Sequence, residues 1–212
     1  MTTVAITPMN EQQHTGQTPK TLGLNLVWDK AEKAKVKSVL AKYPKGRERS
    51  ATIPLLKLAQ DKCGGWLPVD AMQLVADTVN EPYIRVYEVA TFYTMFNLKP
   101  VGKFHVQVCT NCACLIRGSD GVTKAVKDIA GVDSSGATSK DGTFTFTEVE
   151  CLGACVAAPM MQIGTHYFTH LTEEKTKDIL NHLKEGGDPL KYADTPNAAS
   201  DPLHNGDYEE HV

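Results

Sequence analysis

A chain of 212 residues, 42% hydrophobic and 22% charged, has the composition of a soluble protein with one or two domains. Its net charge of −3 and the lack of a long basic run exclude the usual signature of a nucleic-acid-binding protein. The longest nearly apolar stretch, residues 151–161, is too short for a membrane span, and no secretory signal opens the sequence. We therefore expect a cytosolic protein without a direct membrane span.

The first half of the sequence predicts a helical domain over residues 25–98. Apolar residues recur there at helical spacing in four short segments. Asp29 and Glu32 have the pattern of a capping box before the first segment. The start signals of the other three segments are Ser50, Pro68 and Pro82.

The second half, residues 99–185, changes to the alternating pattern of strands. Apolar side chains alternate from Phe104 to Cys109 and again from Phe144 to Cys151. A helix is expected from about Ser119, and two short strands are followed by a helix that Thr172 caps. The order β-α-β-β-β-α predicts a compact α/β sandwich, so the whole chain is expected to be α+β.

Both ends of the chain have the composition of disordered tails. Residues 1–24 are polar and show no periodicity. Residues 186–212 contain six acidic residues and one lysine, together with several prolines. We expect neither segment to belong to a packed domain.

Six cysteines are the most informative residues, because structural disulfides are rare in a reducing compartment. Four of them form two groups, C-x4-C at Cys109 and Cys114 and C-x3-C at Cys151 and Cys155. Each group begins where a predicted strand ends, so the two loops can meet at one edge of a sheet. A [2Fe–2S] cluster needs four thiolates on loops of small residues. We predict one such cluster on these four cysteines.

Other uses of the cysteines remain open at this point. A structural zinc site prefers C-x2-C pairs, and Cys112 forms one with Cys109. The same pair could serve a dithiol–disulfide oxidoreductase, but this leaves Cys151 and Cys155 without a role. Cys112 could also replace a cluster ligand, although a spare thiol in the loop is the simpler interpretation. The sequence has no G-x-G motif, so we expect the chain to bind neither NADH nor flavin by itself.

Three further expectations concern residues outside the ligand set. The aromatic residues of the last helical segment are expected to pack mostly inward, as helical aromatic stripes usually do. They are Tyr83, Tyr87, Phe92, Tyr93 and Phe96. His105 alternates with core residues and is expected at the surface. Cys63 is expected to act as a small buried hydrophobic residue.

Long motifs make the sequence similar to a known family. VQVCTNCACLIRGS (106–119) and EVECLGACVAAPMMQIG (148–164) resemble the thioredoxin-like [2Fe–2S] ferredoxins. PYIRVYEVATFYTMFNLKPVG (82–102) more narrowly resembles the small iron–sulfur subunit of the NADH-oxidising module of respiratory complex I. The resemblance covers about residues 25–185 and implies a helical docking domain followed by a thioredoxin-like domain.

The resemblance also implies a ligand set and partners. The family's ligands correspond to Cys109, Cys114, Cys151 and Cys155, and the sequence departs from the family at Cys112. A partner flavoprotein would hold FMN and NADH, and a multi-cluster iron–sulfur subunit would lie nearby. The complex would hold the chain peripheral to the inner membrane, on the matrix side in a mitochondrion. The same subunit type serves NAD-linked hydrogenases and formate dehydrogenases. Pro159 follows the second cysteine group, and the resemblance implies that the peptide bond before it is cis.

Overall fold

The computed structural model describes residues 19–23 and 25–194. The predicted acidic tail beyond residue 194 lies outside the described residues. The chain divides into two compact units between Val101 and Gly102, and each has its own hydrophobic core. Within the two described ranges, no helix combines the length and apolar character needed to cross a bilayer.

Capping and apolar periodicity account for the helices of the first unit. The α-helices of its described part are α1 (Lys30–Leu40), α2 (Thr52–Lys62), α3 (Val69–Val79) and α4 (Tyr83–Phe92). The backbone N–H of Asp29 donates to the Glu32 carboxylate and the N–H of Glu32 donates to Asp29, each at 2.8 Å, which confirms the capping box. Ser50 does not cap α2, because it lies inside a short 3₁₀ helix, Glu48–Ala51, that leads directly into it.

The four helices pack around one core. Its largest fully buried side chains are Leu55, Leu56, Leu67, Met72 and Phe96. Burying a side chain of this size contributes roughly 1.5–3 kcal/mol. The indole N–H of Trp28 donates to the Thr78 hydroxyl at 2.8 Å and attaches the segment before α1 to α3. The core thus joins all four helices into one unit.

The expectation that most of the aromatic residues pack inward is confirmed, since three of the five do so. Phe96 is buried, and Tyr83 and Tyr87 are packed against the core. Phe92 is 67% exposed and Tyr93 is 40% exposed. Ala90 lies on the buried face of α4, and a residue two positions later points to the opposite side of a helix. The end of α4 therefore presents apolar side chains to solvent.

Part of the predicted N-terminal tail is attached to the first unit. The carbonyl of Lys20 accepts the N–H of Val69 at 3.1 Å. The N–H of Leu22 donates to the Asp70 carboxylate at 2.7 Å. Described residues of the predicted 1–24 tail thus bind the start of α3. Its other residues, 1–18 and 24, lie outside the described part.

The second unit is a four-stranded sheet with helices. Its strands are β1 (Phe104–Cys109), β2 (Phe144–Val149), β3 (Met161–Ile163) and β4 (His166–Phe168). Its α-helices in the described part are α5 (Cys112–Ile116), α6 (Ser119–Ala130) and α7 (Glu173–Lys184). The predicted strands and long helices are confirmed, although β2 ends two residues before Cys151. α5 was not predicted, because one apolar turn is too short to show a helical period.

The order of strands places the carboxyl ends of β1 and β2 side by side. The sheet runs β2-β1-β3-β4, with β1 and β2 parallel and the other neighbours antiparallel. Val106 lies opposite Phe146 across the parallel pair. A parallel pair requires a crossover connection, and α6 lies in the segment between β1 and β2. The loops that follow the two strands therefore begin next to each other.

The first residues of the predicted C-terminal tail are ordered, contrary to the expectation for 186–212. They form a short 3₁₀ helix, Pro189–Lys191, capped by the Asp188 side chain. Asp194 then forms an antiparallel bridge with Tyr167 at the edge of the sheet. A composition rich in Pro and Asp failed to reveal this, because the attachment depends on hydrogen bonds to a distant strand.

Candidate functional site

Two loops at the end of the parallel strand pair carry five of the six cysteines. We call residues 109–114 the first cysteine loop and residues 151–155 the second cysteine loop. The N–H of Thr110 donates to the carbonyl of Val149 at 3.2 Å, which links the first loop to the end of β2. The N–H of Cys109 donates to the carbonyl of Met160 at 3.2 Å. These backbone bonds connect the first loop to the residues on both sides of the second.

The first cysteine loop presents two buried thiols and one exposed thiol. Cys109 is the last residue of β1 and Cys114 lies in α5, and each is only 2% exposed. The Asn111 side chain accepts the N–H of Cys112 at 2.7 Å and so starts the helix that turns Cys114 inward. Cys112 is exposed. The helical turn therefore separates Cys112 from the two buried cysteines.

The second cysteine loop brings its two exposed thiols together. The sulfur atoms of Cys151 and Cys155 are 4.0 Å apart. Gly153 has a φ of +79°, and its N–H donates to the Cys151 sulfur at 3.3 Å. This conformation is unfavourable for a residue with a Cβ. The loop thus already contains an N–H–sulfur bond of the kind that stabilises negative charge on a thiolate.

Burial and neighbouring thiols raise the pKa values of two cysteines in this region, Cys114 and Cys155. Burial, assisted by a hydrogen bond with Cys109, raises the pKa of Cys114 to about 11. A hydrogen bond with Cys151 is the main cause of the raised pKa of Cys155, and the charge of Cys109 adds to it. Cys109 therefore interacts with cysteines of both loops. Metal ligation requires thiolates, so iron has to displace these protons.

A small apolar cluster lies beneath the thiols. Cys109 and Cys114 form it with Ala158 and Met160, and all four residues are buried. Partly buried residues of both loops pack against it, namely Ala113, Leu152 and Ala154, together with Tyr167 of β4. Apolar surroundings exclude water and strengthen hydrogen bonds to charged sulfur. The two loops therefore share one water-poor base.

The thiols are arranged as two pairs. Cys109 is paired with Cys114, and Cys151 is paired with Cys155. Among the described residues, no group of three or more histidine, cysteine or acidic side chains converges on one point that could hold a metal ion. A [2Fe–2S] cluster takes two thiolates on each of two irons. The pairs fit the cluster.

Exposed apolar side chains lie close to the cysteines in sequence, and sequence patterns gave no sign of their exposure. Ile116 follows the first cysteine loop and is 84% exposed, while Val156 follows Cys155 and is 91% exposed. Leu115, the residue before Ile116, is half exposed. Exposed apolar residues grouped on one surface are typical of a protein-binding site. We call these three residues the apolar rim.

The remaining cysteine, Cys63, lies in the first unit. It follows α2 and packs, half-buried, against the helical core. Burial raises the pKa of its thiol, which fits the expected role of a small hydrophobic residue. The Ala158–Pro159 peptide bond is cis, as the resemblance implied.

His105 is not the surface side chain that the alternation predicted. It is half-buried, and burial lowers its pKa to about 4. Its Nε2 lies 2.9 Å from the Thr147 hydroxyl of β2. The expectation was wrong because β1 is a central strand, so side chains of its neighbours, such as Thr147 of β2, pack beside His105.

Comparison with known proteins identifies relatives over most of the chain. The profile of the family "Thioredoxin-like [2Fe-2S] ferredoxin" matches residues 36–184. The E subunit of the NADH-quinone oxidoreductase of Rickettsia bellii (strain RML369-C) is 50% identical over 160 residues, which are 76% of this chain and 95% of the relative. The corresponding protein of Rickettsia conorii (strain ATCC VR-613 / Malish 7) is 49% identical with the same coverage.

A solved structure supports the fold. A chain of an NAD⁺-reducing [NiFe]-hydrogenase in the H2-reduced state aligns with a TM-score of 0.58 and 15% identity. The match covers 68% of this chain and 26% of the hydrogenase chain, so this protein spans about a quarter of that chain's length. At this identity the likeness concerns the fold alone. Together with the family profile it confirms the α+β thioredoxin-like architecture.

Proposed function

The chain belongs to the thioredoxin-like [2Fe–2S] ferredoxin family, and on that basis we propose that it is the electron-transfer subunit of an NADH:quinone oxidoreductase. The main support is that about half of all aligned residues are identical to those of proteins named as the E subunit of NADH-quinone oxidoreductase, along nearly their full length. The subunit carries one [2Fe–2S] cluster. Electrons pass between it and the FMN of a partner flavoprotein, which also holds NADH.

We propose Cys109, Cys114, Cys151 and Cys155 as the ligands. When bound, a [2Fe–2S] cluster supplies reversible transfer of one electron. The chain's own residues prepare the site: the strand ends bring the loops together, and the apolar cluster below them excludes water. The N–H of Gly153 donates to the Cys151 sulfur and would stabilise additional negative charge there.

The proposed assembly is respiratory complex I. In it the flavoprotein subunit would contact this chain, and a multi-cluster iron–sulfur subunit would lie nearby. The complex would hold the chain peripheral to the inner membrane. An NAD-linked hydrogenase or formate dehydrogenase is the alternative assembly, and the hydrogenase likeness favours it only at the level of fold. The coverage of the Rickettsia relatives favours complex I.

Two functions of other classes receive less support. A structural zinc site would need four ligands around one ion, whereas the described thiols lie in two pairs. A dithiol oxidoreductase would use Cys109 and Cys112, but Cys109 interacts with Cys114 while Cys112 is exposed. The deciding measurement is the composition of the anaerobically purified chain. We expect about two irons and two acid-labile sulfides per chain. Stoichiometric zinc without sulfide would contradict the proposal.

We propose the helical unit as the main docking surface for the flavoprotein. Its exposed apolar residues at the end of α4 are Phe92, Tyr93 and Met95, of which Met95 is 48% exposed. A free ferredoxin would have no need of this helical unit. The rim beside the cysteines is a second apolar surface, so the two surfaces must be compared directly.

Paired variants of the full chain make that comparison. Phe92→Ser with Met95→Ser removes apolar surface from the helical unit, and Ile116→Ser with Val156→Ser removes it from the apolar rim. All four side chains are exposed, Met95 the least of them, so the fold and the cluster should be retained. We expect the first pair to weaken binding to the flavoprotein at least tenfold, measured by titration, because truncating a central apolar contact costs more than about 1 kcal/mol. Stronger weakening by the rim pair would place the main interface on the sheet unit.

A further inference from the structure

The second cysteine loop depends on one side chain from β4. The hydroxyl of Tyr167 donates to the carbonyl of Leu152 at 2.9 Å, inside the loop between Cys151 and Cys155. The ring of Tyr167 packs against the apolar cluster beneath the thiols. Tyr167 therefore contacts both the backbone of the loop and the apolar cluster that lies beneath the thiols.

The residues that follow β4 hold the other end of the same loop region. The N–H of His170 donates to the carbonyl of Ala157 at 2.9 Å, and the N–H of Leu171 donates to Pro159 at 3.0 Å. His170 adopts a φ of +48°, a conformation that a non-glycine residue adopts rarely. Two backbone bonds and the Tyr167 hydroxyl thus attach the second cysteine loop region to β4 and its extension.

The position of β4 is fixed in turn by Asp194. Its carboxylate accepts the N–H of Thr169 at 2.6 Å and the hydroxyl of Thr169 at 2.8 Å. Its own N–H donates to the carbonyl of Tyr167 at 2.9 Å. The family profile ends at residue 184, so Asp194 lies in a segment that the profile does not include. β4 is an edge strand, and this segment covers its open edge.

We propose that Tyr167 is the positioning residue of the second cysteine loop and that Asp194 locks Tyr167 in place. The inference rests on the proposed role of Cys151 and Cys155 as ligands. These two thiols are exposed, and residues 151–154 have no helix or strand of their own to fix them. Each hydrogen bond to the loop therefore reduces the number of conformations that the loop can adopt, and so lowers the entropy cost of placing the two sulfurs for iron binding. The C-terminal segment thereby stabilises the site that the family domain provides.

Hydrogen exchange of the cluster-loaded full chain tests this directly. Tyr167→Phe keeps the ring and removes the hydroxyl, so amides in residues 152–158 should exchange roughly fivefold faster, the effect of one lost hydrogen bond. Release of iron to a chelator should accelerate by a similar factor. Tyr192→Phe is the matched control, because its hydroxyl makes no hydrogen bond among the described residues, 19–23 and 25–194. It should match the wild type in both measurements.

Asp194 supplies the graded part of the test. Asp194→Asn keeps an oxygen that can accept both Thr169 bonds and should resemble the wild type, whereas Asp194→Ala should raise exchange in residues 152–158 about two- to threefold. Unchanged exchange there in Tyr167→Phe would overturn the inference, as would an equal increase throughout β1, which would indicate general destabilisation. If the chain held no cluster, the proposed ligands would fail, while the exchange measurement would still decide the role of Tyr167.

Discussion

The two cysteine loops contain similar residues but are built differently. In the first loop, Cys109 ends a central strand and Cys114 lies in a helix, so regular structure buries both thiols. In the second loop, Cys151 and Cys155 are exposed, and the chain between them is held by the bond from the Gly153 N–H to the Cys151 sulfur and by the bond from the Tyr167 hydroxyl. One half of the site is fixed by secondary structure, and the other half is fixed by tertiary contacts.

This difference indicates how the site can combine precision with access. A buried, preorganised pair needs little ordering when it binds iron, so its geometry is set by folding. An exposed pair lies where iron and sulfide could reach it. We expect disturbance of the first loop to affect folding and disturbance of the second to affect mainly retention of the cluster.

Cysteine substitution has the largest expected effect and tests whether both pairs are needed. Changing Cys114, Cys151 or Cys155 to serine should abolish or strongly change the EPR signal of the reduced protein, because serine is a poorer and harder ligand. Cys114→Ser should also lower the melting temperature, since it replaces a buried thiol by a hydroxyl that costs more to remove from water.

The control for that series is Cys112→Ser. Cys112 is exposed and lies apart from the buried pair, so the signal should remain nearly intact. An essential Cys112 together with a dispensable Cys114 would show that the first loop supplies a different pair.

Acid should lower the stability of the second unit, because His105 of β1 contacts β2, and these two strands lead to the two cysteine loops. Burial holds the pKa of His105 at about 4, below its ordinary value of 6.5. Between these values the unfolded chain binds a proton that the folded chain does not, so stability falls as the pH falls from about 6.5 to about 4. The complete loss amounts to about 3 kcal/mol.

The variant His105→Gln tests that dependence, because glutamine does not titrate and can still bond to Thr147. Its thermal midpoint should fall less than that of the wild type between about pH 7 and about pH 4.5. Equal acid sensitivity in the two proteins would show that His105 does not cause the loss of stability in acid.

The smallest effect concerns the backbone of the second loop. Gly153→Ala puts a Cβ on a residue with a φ of +79°, which should cost about 1–2 kcal/mol. Apart from Gly153 and its two neighbours in the chain, no atom of the described residues lies within 4 Å of that Cβ, so conformation alone is tested. We expect faster loss of visible absorbance to a chelator.

Gly118→Ala is the matched control, with a φ of +97° and equally open space. It precedes α6, outside the second loop, so it should lower the melting temperature while the holo protein keeps its cluster as the wild type does. If both variants lost the cluster at the same rate, the loops would not differ in the way proposed.

Sequence patterns predicted the regular elements well and the surfaces poorly. The capping box at Asp29, the alternation in β1 and the periodicity of α6 are local signals, and the structure confirms them. The exposure of Phe92 and the burial of His105 were not foreseen, because each depends on which neighbouring element covers a face. Local patterns specify which residues share a face and leave open what covers it.

The sequence by itself determined the cysteine spacing, the strand ends before each group and the family to which the chain belongs. These depend on residues close together in the chain or on motifs read directly. Only the tertiary structure decided that the thiols form two pairs, that Tyr167 reaches the carbonyl of Leu152 and that Asp194 holds β4. Such contacts join residues far apart in sequence, and no local propensity encodes them. They arise because folding brings the second cysteine loop, β4 and the C-terminal segment into contact.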